Sequence, residues 1–289
     1  MAVLDGDIAD HVIDFDRYPL RDPADPRRVE VVAGVRADLA AVGCSVLPDF
    51  VHPAQREVLR RECAEIAPSA YFDVEMVNVY NTAPDPALPD GHPARTTMPR
   101  GNAFVARDRI PTGSVLTHLY TNPDLQRFVA DCFGLGRVHE LADPLAGLCL
   151  NVLLPGRGHP WHFDTNEFTV SLLAQQPEAG GEFDYCPQIR SASAENLDRV
   201  AAVLDGRDTR SIRTLRPRPG DLQLFRGRYS LHRVRRVAGD VPRLSAILAY
   251  SQQPGVVGST VRTRQLFGRL SSAHTVRRAV PVRVDRLMD

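Results

Sequence analysis

Along the first half of the chain, apolar positions recur every three to four residues. In residues 28–42, RVEVVAGVRADLAAV, the repeat runs up to Gly43, which predicts an amphipathic helix stopped by the glycine. CSVLPDF then reads as a short strand and HPAQREVLRRECAEIA as a second amphipathic helix. NPDLQRFVADCFG predicts a third, opened by Asn122 and Pro123 and closed by Gly134. Over residues 79–102 the periodicity gives way to Pro, Asn, Asp and Gly. That predicts a long irregular loop, of a length that compact domains keep for lids and binding segments.

From about residue 138 the pattern shortens to β-type runs: AGLCLNVLL, FTVSLLAQ, GEFDYCPQ, SIRTL, GDLQLFRG, SLHRVRRV and RLSAILAYS, with one helix, AENLDRVAAVL, after the third. Many short strands parted by Gly and Pro turns predict a sandwich or barrel. The expected organisation is an N-terminal arm (1–27), a helical support with the substrate loop (28–137), a β core (138–253) and a C-terminal extension (254–289), packed as one unit. There is no internal repeat or low-complexity segment.

Composition adds exclusions. The 289 residues are 43% hydrophobic and 24% charged, with 35 basic and 35 acidic side chains, so the basic excess that phosphate backbones require is missing and nucleic acid is not the expected partner. Every basic residue of that set is Arg, which removes lysine Schiff-base chemistry. MAVLDGDIADHVIDFD lacks the basic and apolar regions of a secretory signal, and no run approaches a membrane span. Five scattered cysteines without a CxxC read as reduced thiols in a cytoplasmic protein. Nothing in the pattern indicates an oligomeric state.

Candidate chemistry concentrates in HPWHFDTNEF, residues 159–168. His162 and Asp164 are two apart, so an extended backbone points both to one side, where they share a metal or form a surface ion pair. His232, 70 residues beyond His162, supplies a second imidazole. Two imidazoles and a carboxylate form the facial triad that leaves open positions on Fe(II) for a bidentate cosubstrate and dioxygen. The same donors also bind zinc. Arg243 and Ser245 follow on one strand face, and a hairpin turn at AGDVP is expected to fold them back beside the His232 strand. Arginine suits a bidentate grip on a carboxylate.

Taken as a set, His162, Asp164, His232, Arg243 and Ser245 resemble the Fe(II)- and 2-oxoglutarate-dependent dioxygenases. EAGGEFDY and PGDLQLFRGRYSLHRV are similar to the turns and strands of their double-stranded β-helix, and GCSVLPDFVHPAQREVLRREC resembles the opening segment of phytanoyl-CoA-hydroxylase-like members. The resemblance spans about residues 40–255. It implies a mainly β jelly-roll (cupin-like) core with N-terminal helical support. The implied cofactors are Fe(II), 2-oxoglutarate and O2, with ascorbate helpful in vitro. It further implies Arg243 on the distal carboxylate of 2-oxoglutarate, Ser245 supporting it and Asn151 near the 1-carboxylate.

WHFDTNEFTVSLL and GDLQLFRGRYSLHRV look closest to a bacterial branch acting on free amino acids and natural-product intermediates, which includes radical halogenases. Those halogenases replace the metal-binding carboxylate with Gly or Ala. Asp164 therefore implies hydroxylation, with desaturation, cyclisation or epoxidation as alternative outcomes and a zinc hydrolase or isomerase as a remoter one. Trp161, Asn166 and Glu167 are candidate substrate or supporting residues beside the ligands; Asn78, Tyr80, Arg100 and Arg226 are further substrate candidates. His159 takes a loop or supporting role. The expected partner is a small polar molecule.

Overall fold

The computed structural model describes residues 9–101, 103–276 and 285–288. The first eight residues of the expected arm, Asn102 of the expected loop, and residues 277–284 and 289 of the C-terminal extension lie outside the described residues.

Two antiparallel sheets face each other. The larger runs Cys44–Leu47, Leu222–Phe225, Thr169–Gln175, Arg243–Leu248, Leu148–Leu153, Ala103–Val105, Tyr71–Phe72; the smaller runs Arg213–Leu215, Phe183–Cys186, Leu231–Val234, His159–His162. This is the expected jelly-roll; from Leu148 onward the strands cross between the two sheets, except that Arg213–Leu215 stays beside Phe183–Cys186 in the smaller one. The core strands read as continuous apolar runs because both faces of the larger sheet are covered.

Strand alternation divides those two faces. Leu148, Leu150, Val152, Val170, Leu172, Leu222, Leu224, Leu244, Ala246 and Leu248 turn outward into one hydrophobic cluster with the helices. Cys149, Asn151, Ser171, Gln223, Phe225, Arg243 and Ser245 turn inward. The helices covering the outer face are Pro26–Val42, Arg56–Ile66, Val115–Thr121 and Pro123–Phe133. Val32, Val35 and Leu39 give the first its buried stripe, and Gly43 ends it in the left-handed conformation (φ 68°) that glycine adopts without a Cβ clash. The third predicted helix has the expected ends, Asn122 capping the Leu125 amide and Gly134 closing it.

Helix Leu197–Leu204 covers the outside of the smaller sheet with Val200 and Val203, against Trp161, Phe163 and Leu231. Between the sheets, Leu153, Phe183, Tyr185, Phe225 and Val234 fill one end. The other end is open. The sequence pattern missed helix Val115–Thr121 and the short strands Tyr71–Phe72, Glu75–Val77, Met98–Arg100 and Ala103–Val105, because two- and three-residue strands are too short to show a period. The expected loop 79–102 accordingly ends in a strand, Met98–Arg100, paired with Glu75–Val77.

Candidate metal centre and its cavity

His162 and His232 are direct cross-strand partners in the smaller sheet, and Tyr185 pairs with His232 on its other side. Asp164 lies two residues beyond the end of strand His159–His162, its amide bonded to the Gly227 carbonyl at 3.1 Å. One nitrogen from each imidazole and one carboxylate oxygen converge within 4.8 Å of one another. Asp164 Oδ1 lies 3.4 Å from His232 Nε2 and 3.7 Å from His162 Nε2.

The surrounding hydrogen bonds fix what these atoms offer. His162 Nδ1 meets the Pro160 carbonyl at 2.8 Å and His232 Nδ1 meets the Ser230 carbonyl at 2.9 Å. A carbonyl only accepts, so each Nδ1 carries a proton and each ring turns its Nε2 toward Asp164. Burial, together with His159 and His232, holds the His162 imidazole well below its usual range, so it is neutral. Asp164 is driven up by burial but pulled further down by the two imidazoles and by the Thr169 hydroxyl, which donates to Oδ2 at 2.7 Å, so it is a carboxylate. Two ring nitrogens and a carboxylate oxygen thus converge on one point. A divalent cation there would be held by all three, and the donor set fits Fe(II).

Asp164 has its position because of a residue that motif reading did not single out. A Cβ built on Gly227 would stand 1.9 Å from Asp164 Oδ2, so glycine there is what leaves room for the carboxylate.

The centre opens into a cavity of about 1700 Å3 between the sheets. Arg243 and Ser245 line its inner wall, opposite Leu153 and Asn151 respectively in the ladder. Arg243 is 6% exposed, and burial alone pushes its guanidinium down to about 10, so it is a cation at neutral pH. No carboxylate pairs with it among the described residues. A buried arginine facing a cavity in this state is built to receive an anion from outside the protein. Asn151 lines the same wall, its amide reaching the Ala103 carbonyl at 3.4 Å.

Of the expected substrate residues, Asn166 and Glu167 line the cavity, Glu167 also accepting from Gln252 at 2.5 Å. The structure places the others elsewhere. Trp161, one residue from His162, points to the opposite face of its strand, where the Arg233 guanidinium stacks at 4.5 Å. Asn78 is fully buried and organises a turn, accepting from the Tyr80 and Thr82 amides. Tyr80 stacks on Phe163, and Arg100 pairs with Glu75 at 2.7 Å behind the cavity wall. Arg226 sits outside the cavity, bordering a small surface crevice with Phe133 and Tyr229. His159 lines the cavity with its ring stacked 3.8 Å from that of His162.

The cavity's remaining wall comes from beyond the last core strand. Gln252 to Gly258 and helix Thr260–Phe267 roof it. Asp143 secures that roof: its Oδ1 accepts from the Leu145 and Ala146 amides, and its Oδ2 accepts from the Gly258 amide and from His274 Nε2 at 3.0 Å. No helix among the described residues is long and apolar enough to cross a membrane.

Paired antiparallel sheets with a His–Asp–His centre and a buried arginine at the end of the cavity define an oxidoreductase of the Fe(II)- and 2-oxoglutarate-dependent oxygenase superfamily, with those two cofactors. More particularly, the chain belongs to the Halogenase D family, whose profile matches residues 28–262. Among curated proteins nothing matches the sequence.

Similar solved structures share the fold at low identity. The non-heme α-ketoglutarate-dependent carbocyclase SnoK from nogalamycin biosynthesis aligns with TM-score 0.53 at 15% identity, over 83% of this chain and 92% of its own. The epimerase SnoN from the same biosynthesis aligns with TM-score 0.51 at 14% identity, over 77% and 81%. A prolyl hydroxylase from Trichoplax adhaerens, in complex with a hypoxia inducible factor peptide fragment, gives TM-score 0.51 at 14% identity, over 80% and 94%.

Proposed function

We propose that the protein hydroxylates an unactivated C–H bond of a small polar metabolite, a free amino acid or a natural-product intermediate. The observation that carries this reading is the carboxylate of Asp164 among the metal-facing lone pairs. It fills the position that a halide would need, so the chain keeps the ligand set of a hydroxylase within a family that bears a halogenase's name.

Each residue then has a physical task. His162, Asp164 and His232 hold the iron on one face. Arg243 receives the distal carboxylate of 2-oxoglutarate, Ser245 supports it, and Asn151 stands near the 1-carboxylate. Phe183 and Phe225, whose rings lie 5.4 and 4.8 Å from that of His232, keep the metal's inner side dry. When bound, iron and 2-oxoglutarate supply with O2 the oxidising power for C–H cleavage, and the cosubstrate leaves as succinate and CO2. The protein's share is to orient one C–H bond and exclude other reductants.

The cavity exceeds the roughly 300–1,000 Å3 of common ligand pockets, which suits a natural-product intermediate as well as it suits an amino acid. All five cysteines are buried and unpaired, which supports a cytoplasmic setting. Desaturation, cyclisation and epoxidation use the same cofactors and are the alternative outcomes; the name of the carbocyclase SnoK favours cyclisation among them, and that of the epimerase SnoN adds epimerisation.

The deciding experiment follows succinate release from Fe(II)-loaded protein across a panel of free amino acids and polyketide or aminoglycoside intermediates, with and without chloride, and identifies products by mass. Turnover giving a product heavier by one oxygen, unaffected by chloride, is the expected result. A chlorinated product would overturn the hydroxylase reading.

A further inference from the structure

A second arginine stands in the cavity. Arg262 lies on the roof helix Thr260–Phe267 and lines the cavity alongside Val261, Thr263 and Gln265. Its only side-chain hydrogen bond among the described residues is a long one, 3.5 Å from Nη1 to Gln265 Oε1, and no carboxylate pairs with it there. The two acids whose charges bear on it are already engaged, Glu75 by Arg100 and Asp164 by Thr169 and the imidazoles. Burial and the like charge of Arg100 push its guanidinium down to about 9, which still leaves a cation at neutral pH. Arg262 is half-buried and faces the cavity with most of its donors unused, so its planar fork is available to an anion that enters.

A complementary group sits beside the metal ligands. Asn81 lines the cavity with a left-handed backbone (φ 58°), and its Nδ2 donates to the carbonyl of Phe163, the residue between His162 and Asp164, at 3.1 Å. That bond fixes the amide so that Oδ1 is buried with no partner. A buried acceptor in this condition lacks a donor. Left-handed backbone is tolerable for asparagine but uncommon, and such positions cluster where a side chain must be aimed at a ligand.

We propose that Arg262 and Asn81 form the substrate receptor of this cavity. Arg262 grips an anionic group, a carboxylate or a phosphate, and Asn81 accepts a hydrogen bond from an N–H or O–H of the same molecule. The inference rests on the oxygenase reading, since it assigns Arg243 to 2-oxoglutarate and leaves Arg262 for the substrate. Specificity then divides between the two sheets and the roof: the cosubstrate's anion is read by a core strand, and the substrate's anion by the segment that follows it.

The test uses whole protein under anaerobic conditions, saturated with Fe(II) and 2-oxoglutarate so that Arg243 is occupied. The visible charge-transfer band of that complex is recorded before any titration. Calorimetry then follows binding of L-norleucine, hexanoate, hexylamine and inorganic phosphate. Norleucine should bind best, hexanoate more weakly, and hexylamine not at all, because Arg262 repels it. Arg262→Gln should weaken norleucine and hexanoate roughly tenfold or more, the loss expected for one charged hydrogen-bonding group, and Arg262→Lys should restore part of it. Neither variant should alter the band or 2-oxoglutarate affinity. Asn81→Gly, which keeps the backbone conformation, should weaken norleucine and leave hexanoate unchanged.

Phosphate binding in place of the carboxylates, with the same dependence on Arg262, would assign a phosphorylated substrate. The proposal falls if no probe binds the band-positive complex, if hexylamine binds as well as hexanoate, or if Arg262→Gln binds as wild type does. A missing band would remove the oxygenase reading instead. The titration is then repeated on cofactor-free Arg243→Gln protein, where dependence of anion binding on Arg262 still decides for or against the receptor.

Discussion

Asp164 and Gly227 share one volume: the carboxylate oxygen of the first occupies the place where any side chain on the second would begin. Sixty-three positions apart in sequence, they are joined by the bond from the Asp164 amide to the Gly227 carbonyl. The metal-binding geometry of the acid therefore depends on the absence of a single carbon atom in the turn before the His232 strand.

Gly227→Ala should push the carboxylate away from the imidazoles. A displacement of about 1 Å at a reacting centre can lower kcat/KM by roughly 100-fold, and overpacking costs about 1–3 kcal/mol of stability. Iron stoichiometry, turnover and a thermal melt measured on one preparation would show both effects. An alanine variant with full iron and full turnover would show that Asp164 can be repositioned without cost.

Asp164→Ala removes one of three metal-facing donors. Iron affinity should fall and hydroxylation should be lost, while the fold survives, because the Asp164 side chain is only half-buried and its partner Thr169 also lines the cavity. Circular dichroism and iron content separate the two. Wild-type hydroxylation in this variant would take Asp164 out of the ligand set.

Arg243→Gln should raise the Kd for 2-oxoglutarate by roughly tenfold or more, since a charged hydrogen-bonded pair is lost. The pH dependence has a definite sign. Burial lowers the guanidinium to about 10, so its cation is present throughout the neutral range and is lost as pH rises through that value. Affinity for 2-oxoglutarate should be insensitive to this group below about pH 9 and should decline above it in wild type but not in Arg243→Gln.

The cysteines give a check on the whole fold. Burial raises the Cys44, Cys63, Cys149 and Cys186 thiols to about 12 and raises Cys132 as well, so thiolate is scarce at pH 8. Native protein should resist iodoacetamide at all five positions, and denatured protein should take up five equivalents. Rapid alkylation of any one in the native state would show that its surroundings open.

The residues that the sequence made legible are those whose spacing is local or repeats a pattern. His162 and Asp164 announce themselves by being two apart on extended backbone, and Arg243 with Ser245 by the same rule. The helix ends at Asn122 and Gly134 were readable because caps are chemistry of single residues. Gly227 and Asn81 were not, since each gains its meaning from a partner more than sixty positions away, Asp164 and Phe163, and neither was Arg262, which gains its meaning from the cavity it faces. Trp161 shows the converse. Adjacency to His162 suggested a place in the cavity, but neighbours on a strand face opposite ways.

Asp143 ties the segment around Gly258 and the histidine at 274 to the turn just before the first strand of the core. The metal-facing sheets and the cavity's roof are thereby built from separate stretches of chain, with Asp143 among the ties between them, beside Gln252 on Glu167 and Phe267 on Phe104. Changes in residues 252–267 can alter which molecules enter without touching a metal ligand or a core ladder. Which molecule is admitted can thus be rewritten within residues 252–267 while every metal-facing side chain stays as it is.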